Sequence, residues 1–161
     1  MTKTEDLRAT LRLLSDGFRK LRAHVGAWLM EEFVLLEGID CIAQPLPRRY
    51  RRRLPKQCFA NAAALVRRTS GLTYVEGYVA SPRVPFPVHH AWAIDADHAV
   101  IDPTLGDPEL CAYVGVPVTR EDYVARTRQG NSASMFLDEI GVVRVEWITQ
   151  RCPALREMMD P

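Results

Sequence analysis

The chain has 161 residues, 47% of them hydrophobic and 25% charged, with a formal net charge of +1. This is the composition of one folded domain, or of one domain with a helical extension. A charge so near zero provides no global field to draw the chain to nucleic acid or to a membrane.

Residues 4 to 37 read as helical. Leu7, Leu11, Leu14, Phe18, Leu21 and Val25 recur at intervals of three and four and form one apolar stripe. Gly26 separates this stretch from a second helix reaching Leu36, and Gly38 is the expected stop. The most apolar run, HVGAWLMEEFVLLEG, is interrupted by Glu31 and Glu32 and falls short of the roughly 18 apolar residues of a membrane span. The opening MTKTEDLRAT lacks the apolar stretch of a signal peptide. Cys41, Cys58, Cys111 and Cys152 have no CxxC spacing. Together these features predict a cytoplasmic protein with reduced thiols, with neither a disulfide framework nor a structural zinc site.

CIAQPLPRRYRRRLPK follows, and its three prolines predict a loop or extended segment. Residues 57 to 69 predict a helix entered after Pro55, rich in alanine and ended near Gly71. LTYVEGYVA reads as a strand, SPRVPFPV as a proline-rich loop, and HHAWAID and HAVIDPTL as two strands joined by a tight turn at Ala96 and Asp97. A short helix is expected after Thr119, which is spaced from Asp122 as in a capping box. VVRVEWITQ reads as a late strand. Helices followed by hairpin-linked strands indicate an α+β fold, in which N-terminal helices and a central helix carrying Cys58 pack on an antiparallel sheet.

Three of these residues suggest chemistry. Cys58 falls in the first turn of its helix, where unpaired N–H groups and the helix dipole favour a thiolate. His90 opens a strand and Asp102 lies on the next, and a histidine oriented by a carboxylate is the usual partner of a nucleophilic thiol. Two such residues share a sheet face only if the loop between their strands is odd in length. A three-residue loop, Asp95 to Asp97, would pair Ile94 with His98 and set His90 directly opposite Asp102.

Cys58 at a helix start, then HAW, then IDPT resembles the transglutaminase-like branch of the papain-like thiol enzymes, over roughly residues 50 to 110. The resemblance implies one domain over 1–161, with about the first 45 residues as a helical extension. It also implies Cys58 as nucleophile, His90 as general base and Asp102 as orienting carboxylate. The Cys58 N–H is a natural oxyanion donor, and the second donor is open between the Gln57 side chain and the Tyr50 hydroxyl. Papain-type enzymes carry a glutamine where Arg52 stands here, which favours the transglutaminase-like branch.

The remaining polar residues have plainer readings. His89 points to the face opposite His90 and is structural or substrate-facing. Trp92 shares the His90 face, where it shields the contact with Asp102 and is a substrate-binding candidate, or is a plain core aromatic. His24 is a surface or satisfied core residue, His98 is solvated at the turn, and Cys41, Cys111 and Cys152 are packing residues. Adjacent histidines on a strand diverge, which argues against a metal site built from Cys58, His89, His90 and Asp102. RRYRRRLPK holds six basic residues in nine, and the rest of the chain is net negative. A solvated loop paired with the acidic N-terminal helix ranks first for this run. Anchoring of an anionic substrate group by Arg52 and Arg53 ranks second, and nucleic acid third. VPFP before His89 is a mobile flap or a rigid connector.

The expected function is attack of Cys58 on an amide of a peptide or small molecule. The acyl-thioester is then released to water or to an amine, without metal or organic cofactor. Hydrolysis is favoured because water needs no second binding site. The substrate could also be a partner protein docked on the N-terminal helices. The alternative is a non-catalytic binding module of the same fold, with segment 48–56 holding an acidic partner or nucleic acid.

Overall fold

A computed structural model describes residues 2–22, 29–127, 134–137 and 143. The elements run α1 (Lys3–Arg22), α2 (Met30–Glu37), β1 (Ile39–Cys41), α3 (Cys58–Arg68), β2 (Thr73–Ala80), β3 (Val88–Ile94), β4 (Val100–Ile101), a 3-10 turn (Pro108–Leu110), β5 (Ala112–Val118) and α4 (Arg120–Thr127). The fold is α+β. Its five strands form one antiparallel sheet in the order β1-β5-β2-β3-β4. Ile42, just past β1, bridges Ala99, just before β4. The Ile42 N–H donates to the His98 carbonyl and the Val100 N–H to the Ile42 carbonyl, each at 2.9 Å. This bridge joins the two outer strands, so the sheet curls on itself.

Curling gives the sheet two different faces. Even-numbered residues of β2 and β5 and odd-numbered residues of β3 meet the helices. Tyr74, Ala91, Ala93, Val114 and Val116 pack there with Leu7 and Leu11 of α1, Phe33 and Val34 of α2, and Ala62 and Val66 of α3. The opposite set, Val75, Val79, Trp92, Ile94 and Tyr113, closes with Cys41, Val100 and Cys111 into a second core on the inner face. Gly77 and Gly115 are cross-strand partners in β2 and β5. A Cβ on Gly115 would stand 2.6 Å from the Trp92 ring, and one on Gly77 would stand 2.3 Å from the Val114 carbonyl. Both positions therefore require glycine, because backbone and indole occupy the space a side chain would take.

Several expectations need correction. The apolar stripe of α1 buries Leu7 and Leu11, but Phe18 is exposed, and buried Ser15 bonds Glu32 of α2 at 3.2 Å. The side chains of Leu21, His24 and Val25, the Gly26 break, Cys152 and, apart from Val143, the strand read over 142–150 lie outside the described residues. Gly38 ends α2 in an extended conformation (φ −77°), and a Cβ there would lie 2.3 Å from the Val34 carbonyl. Close approach, not a left-handed turn, demands this glycine. Strand β1 covers Ile39 and Asp40, which belong to none of the expected elements, and reaches only Cys41 of the segment expected as loop or extended. Strand β5 was not anticipated at all, because AYVGVPV contains a glycine and a proline. Pro117 lies beyond the three residues that β1 covers, so its missing N–H costs β5 no bond to β1. Thr119 caps α4 as expected: it accepts the Asp122 N–H at 3.1 Å and donates its hydroxyl to the Asp122 carboxylate at 2.8 Å.

Candidate active site

Helix α3 begins at Cys58, with Gln57 as its N-cap, and lies against β3 and β2. It starts beside the part of β3 that β4 does not reach. The Cα pairs of β3 with β4 are only Ala93 with Ile101 and Ile94 with Val100. The Asp95 N–H bonds across to the Ala99 carbonyl, so odd-numbered residues of β3 direct their amides to that edge. Ala91, two residues beyond the last pairing, is left with its N–H facing open space. The Cys58 sulfur lies beside it and beside the Phe59 N–H of the first helical turn, and both amides lower the thiol's pKa. The thiol thus occupies a gap in the sheet edge that the shortness of β4 creates.

The β3–β4 register shows both what the parity rule captures and what it misses. The intervening loop runs from Asp95 to Ala99, five residues instead of the expected three, and Ile94 pairs with Val100 instead of His98. The Asp95 carboxylate causes the extension. It accepts the N–H groups of Asp97 and Ala99 at 3.1 and 3.0 Å, while His98 takes a left-handed conformation (φ 61°). An odd loop still places His90 and Asp102 on one face, now as a diagonal pair. The imidazole spans the diagonal, and Nε2 donates to Asp102 Oδ2 at 2.8 Å.

Asp102 is fully buried and saturated with donors. Oδ2 also accepts the Tyr113 hydroxyl at 3.0 Å, and Oδ1 accepts the N–H groups of Thr104 and Leu105 at 2.8 and 3.3 Å. Burial alone would raise its pKa, but the His90 hydrogen bond and charge and these amides hold it below the ordinary value. For His90, burial opposes protonation, but Asp102 on one side and the Cys58 thiol on the other favour it and lift its pKa to about 9. With Nε2 taken by Asp102, Nδ1 is the ring nitrogen left for sulfur. Cys58, half-buried, would be raised by desolvation. The His90 bond and charge and the amides of Ala91 and Phe59 outweigh that and lower it. The three residues together therefore favour a thiolate beside an imidazolium. Cys41 shows the contrast: buried without such partners, it is pushed up to about 12.

The other expected site residues lie around this centre. Trp92 is fully buried, stacks on His90 at 6.2 Å between ring centres, and meets Tyr113 edge-on at 5.1 Å. Gln57 is exposed at the N-cap, and its side chain forms no cap bond. Tyr50 packs against the helix-side core under the Arg49 guanidinium. Arg52 is committed within the protein, with its guanidinium donating to the Leu105 and Gly106 carbonyls. The Arg53 side chain is exposed, and its backbone N–H donates to the Pro103 carbonyl at 2.8 Å. Both arginines thereby staple segment 51–54 over the loop that follows Asp102. The VPFP loop is tied back by an Arg83–Asp107 ion pair. It borders a groove of about 310 Å³ with α1, and the groove is lined by none of Cys58, His90 or Asp102.

His89 does face away from His90. It lies between Phe59 and Tyr78, and its Nε2 is 3.0 Å from Glu76 Oε1, within ion-pair range but without the alignment of a hydrogen bond. Sequence reasoning missed Glu76, a fully buried carboxylate in mid-strand. It accepts the Tyr74 hydroxyl at 3.2 Å, the Met135 N–H at 2.7 Å and the Ser134 hydroxyl. A lone glutamate in the otherwise apolar and aromatic run TYVEGYVA was the available signal, since a strand covered on both faces leaves no solvent for a charge. No group of His, Cys, Asp and Glu that could hold a metal ion occurs among the described residues. No helix among them is long and apolar enough to cross a membrane. Compared with known proteins, the chain matches no family model, no curated protein and no solved structure.

Proposed function

We propose that the chain is a cysteine-dependent acyl-transfer enzyme of the transglutaminase-like, papain-like kind, acting on an amide of a peptide or small molecule. The observation that carries this reading is the buried His90–Asp102 hydrogen bond of 2.8 Å, with the thiol at the start of α3 near enough to the imidazole for each to shift the other's pKa. A structural cysteine has no need of that arrangement.

In this mechanism the Cys58 thiolate attacks the amide carbonyl carbon, and the carbonyl π electrons move to oxygen. The Cys58 N–H at the helix start faces the developing oxyanion. Collapse of the tetrahedral species breaks the C–N bond as His90 delivers its proton to the leaving amine. An acyl-thioester remains on Cys58. His90, now neutral, takes a proton from water as the water attacks the thioester, and the acid and the thiolate are released. An amine acceptor would follow the same path to a new amide. Hydrolysis is the simpler fate because it requires no acceptor pocket. Cys41, Cys58 and Cys111 are all free thiols, which suits a reducing cytoplasm.

Incubation with activated acyl esters, followed by mass mapping of all four cysteines, tests the reading. Acylation of Cys58 alone is expected, and a Cys58→Ala variant should remain unlabelled. Labelling spread evenly over the cysteines, or none at Cys58, would defeat it. Turnover requires Cys58 deprotonated and His90 protonated. Its pH profile should therefore fall on the acid side as the thiolate takes a proton, and above about pH 9 as the imidazolium loses one.

The competing reading is a binding module. The exposed cations Arg48, Arg51, Arg53 and Lys56 favour it. It predicts an unlabelled Cys58 together with strongly salt-dependent capture of a polyanion.

A further inference from the structure

We propose that Asn61 and Thr104 are positioning residues that lock the nucleophile helix to the loop carrying Asp102. The inference rests on the catalytic reading above. Asn61 lies one helical turn after Cys58 and is only 6% exposed. A buried amide must find partners, and both of its bonds leave the helix. Nδ2 donates to the Leu54 carbonyl at 2.8 Å and to the Thr104 hydroxyl oxygen at 3.1 Å. The Leu54 carbonyl can only accept, which fixes the orientation of the amide. Thr104 in turn donates its own N–H to Asp102 Oδ1 at 2.8 Å.

The contacts form a closed circuit. Cys58 meets His90, His90 meets Asp102, Asp102 meets Thr104, and Thr104 meets Asn61, which returns to Cys58 along α3. Sequence-distant elements supply the two sides of the site: α3 brings the thiol, and the strand pair β3–β4 brings the imidazole and carboxylate. Packing of alanines against β3 is non-directional and so tolerates small shifts of α3 along the strand. A directional bond between Asn61 and Thr104 removes that freedom. The sp2 amide nitrogen has two hydrogens in a fixed fork, so one side chain can hold the entry segment and the Asp102 loop together. Alanine offers neither donor, and an ionised aspartate offers two acceptors where donors are needed.

The test reads alkylation of Cys58 by iodoacetamide against pH in the full chain, for wild type, His90→Ala, Asn61→Ala, Thr104→Val and Thr104→Ser. The titratable groups around the thiol are His90 on β3, with Asp102 behind it, and Tyr74 on β2. Asn61→Ala and Thr104→Val alter none of them, so a displaced profile reports geometry. Both variants are expected to move the midpoint up by about one pH unit and so to slow the reaction about tenfold on the acid limb, below the wild-type midpoint. Thr104→Ser keeps the hydroxyl and should match wild type. Wild-type profiles for Asn61→Ala and Thr104→Val, beside a displaced one for His90→Ala, would overturn this proposal alone. A wild-type Cys58 that reacts no faster than in the unfolded chain would overturn the catalytic reading and this proposal with it. Thr104→Val, nearly isosteric at a half-buried position, keeps the test decisive if Asn61→Ala is poorly folded.

Discussion

Replacing His90 by alanine is expected to slow acylation of Cys58 by an activated ester about 10³-fold or more at neutral pH. Two losses combine. The thiol loses the bond and charge that counter its burial, so the thiolate fraction falls. The leaving group also loses its proton donor. The vacated imidazole would strand the Asp102 carboxylate, still bonded to Tyr113, Thr104 and Leu105 but without its cationic partner. Asp102→Asn should approach the same loss by another route. Its amide NH2 would face donors on whichever side it lies, and the ring would lose the partner that fixes its tautomer. Stopped-flow acylation with mass detection measures both variants. A rate within threefold of wild type for His90→Ala would leave the imidazole without a catalytic role.

The second large effect falls on stability, away from the thiol. Glu76→Ala is expected to cost roughly 3–5 kcal/mol in urea unfolding, as removal of one member of a buried charged network does. The glutamate is wholly buried and collects the Tyr74 hydroxyl, the Ser134 hydroxyl and the Met135 N–H, with His89 beside it. Without it, these donors remain buried and unpaired, and segment 134–137 loses its tie to β2. Glu76→Gln keeps the volume and one acceptor oxygen and should lose less. A cost under 1 kcal/mol for Glu76→Ala would mean that water or another side chain replaces the carboxylate.

The two networks differ in how far the sequence reveals them. Cys58, His90 and Asp102 are legible because each sits at a recognisable place in a local pattern: a helix start after proline, a strand start, a strand end. The parity rule then links the two strands whatever the exact loop. The register itself was out of reach, because it depends on the Asp95 side chain capturing the Asp97 and Ala99 amides. Tyr113 escaped notice with the whole of β5, whose glycine answers to the Trp92 ring across the sheet and whose proline lies beyond the reach of β1. Glu76 escaped because two of its donors come from residues 134 and 135, far along the chain. In each case the missing information was a partner distant in sequence, which periodicity and propensity do not carry. The basic run illustrates the converse. Its charge is obvious in the sequence, but only the fold shows that the Arg52 guanidinium bonds two carbonyls next to Asp102.

The most direct test is the rate of Cys58 alkylation in the native wild-type chain, followed from pH 4 to pH 10 with mass mapping of every cysteine. A thiolate held by His90 and by the amides of Ala91 and Phe59 should react with a midpoint below the free-thiol value of about 8.5. A rate that instead climbs through pH 8 to 9 like an ordinary thiol, or that appears only on unfolding, would show that Cys58 is a packing residue and that the chain does not work by acyl transfer through it.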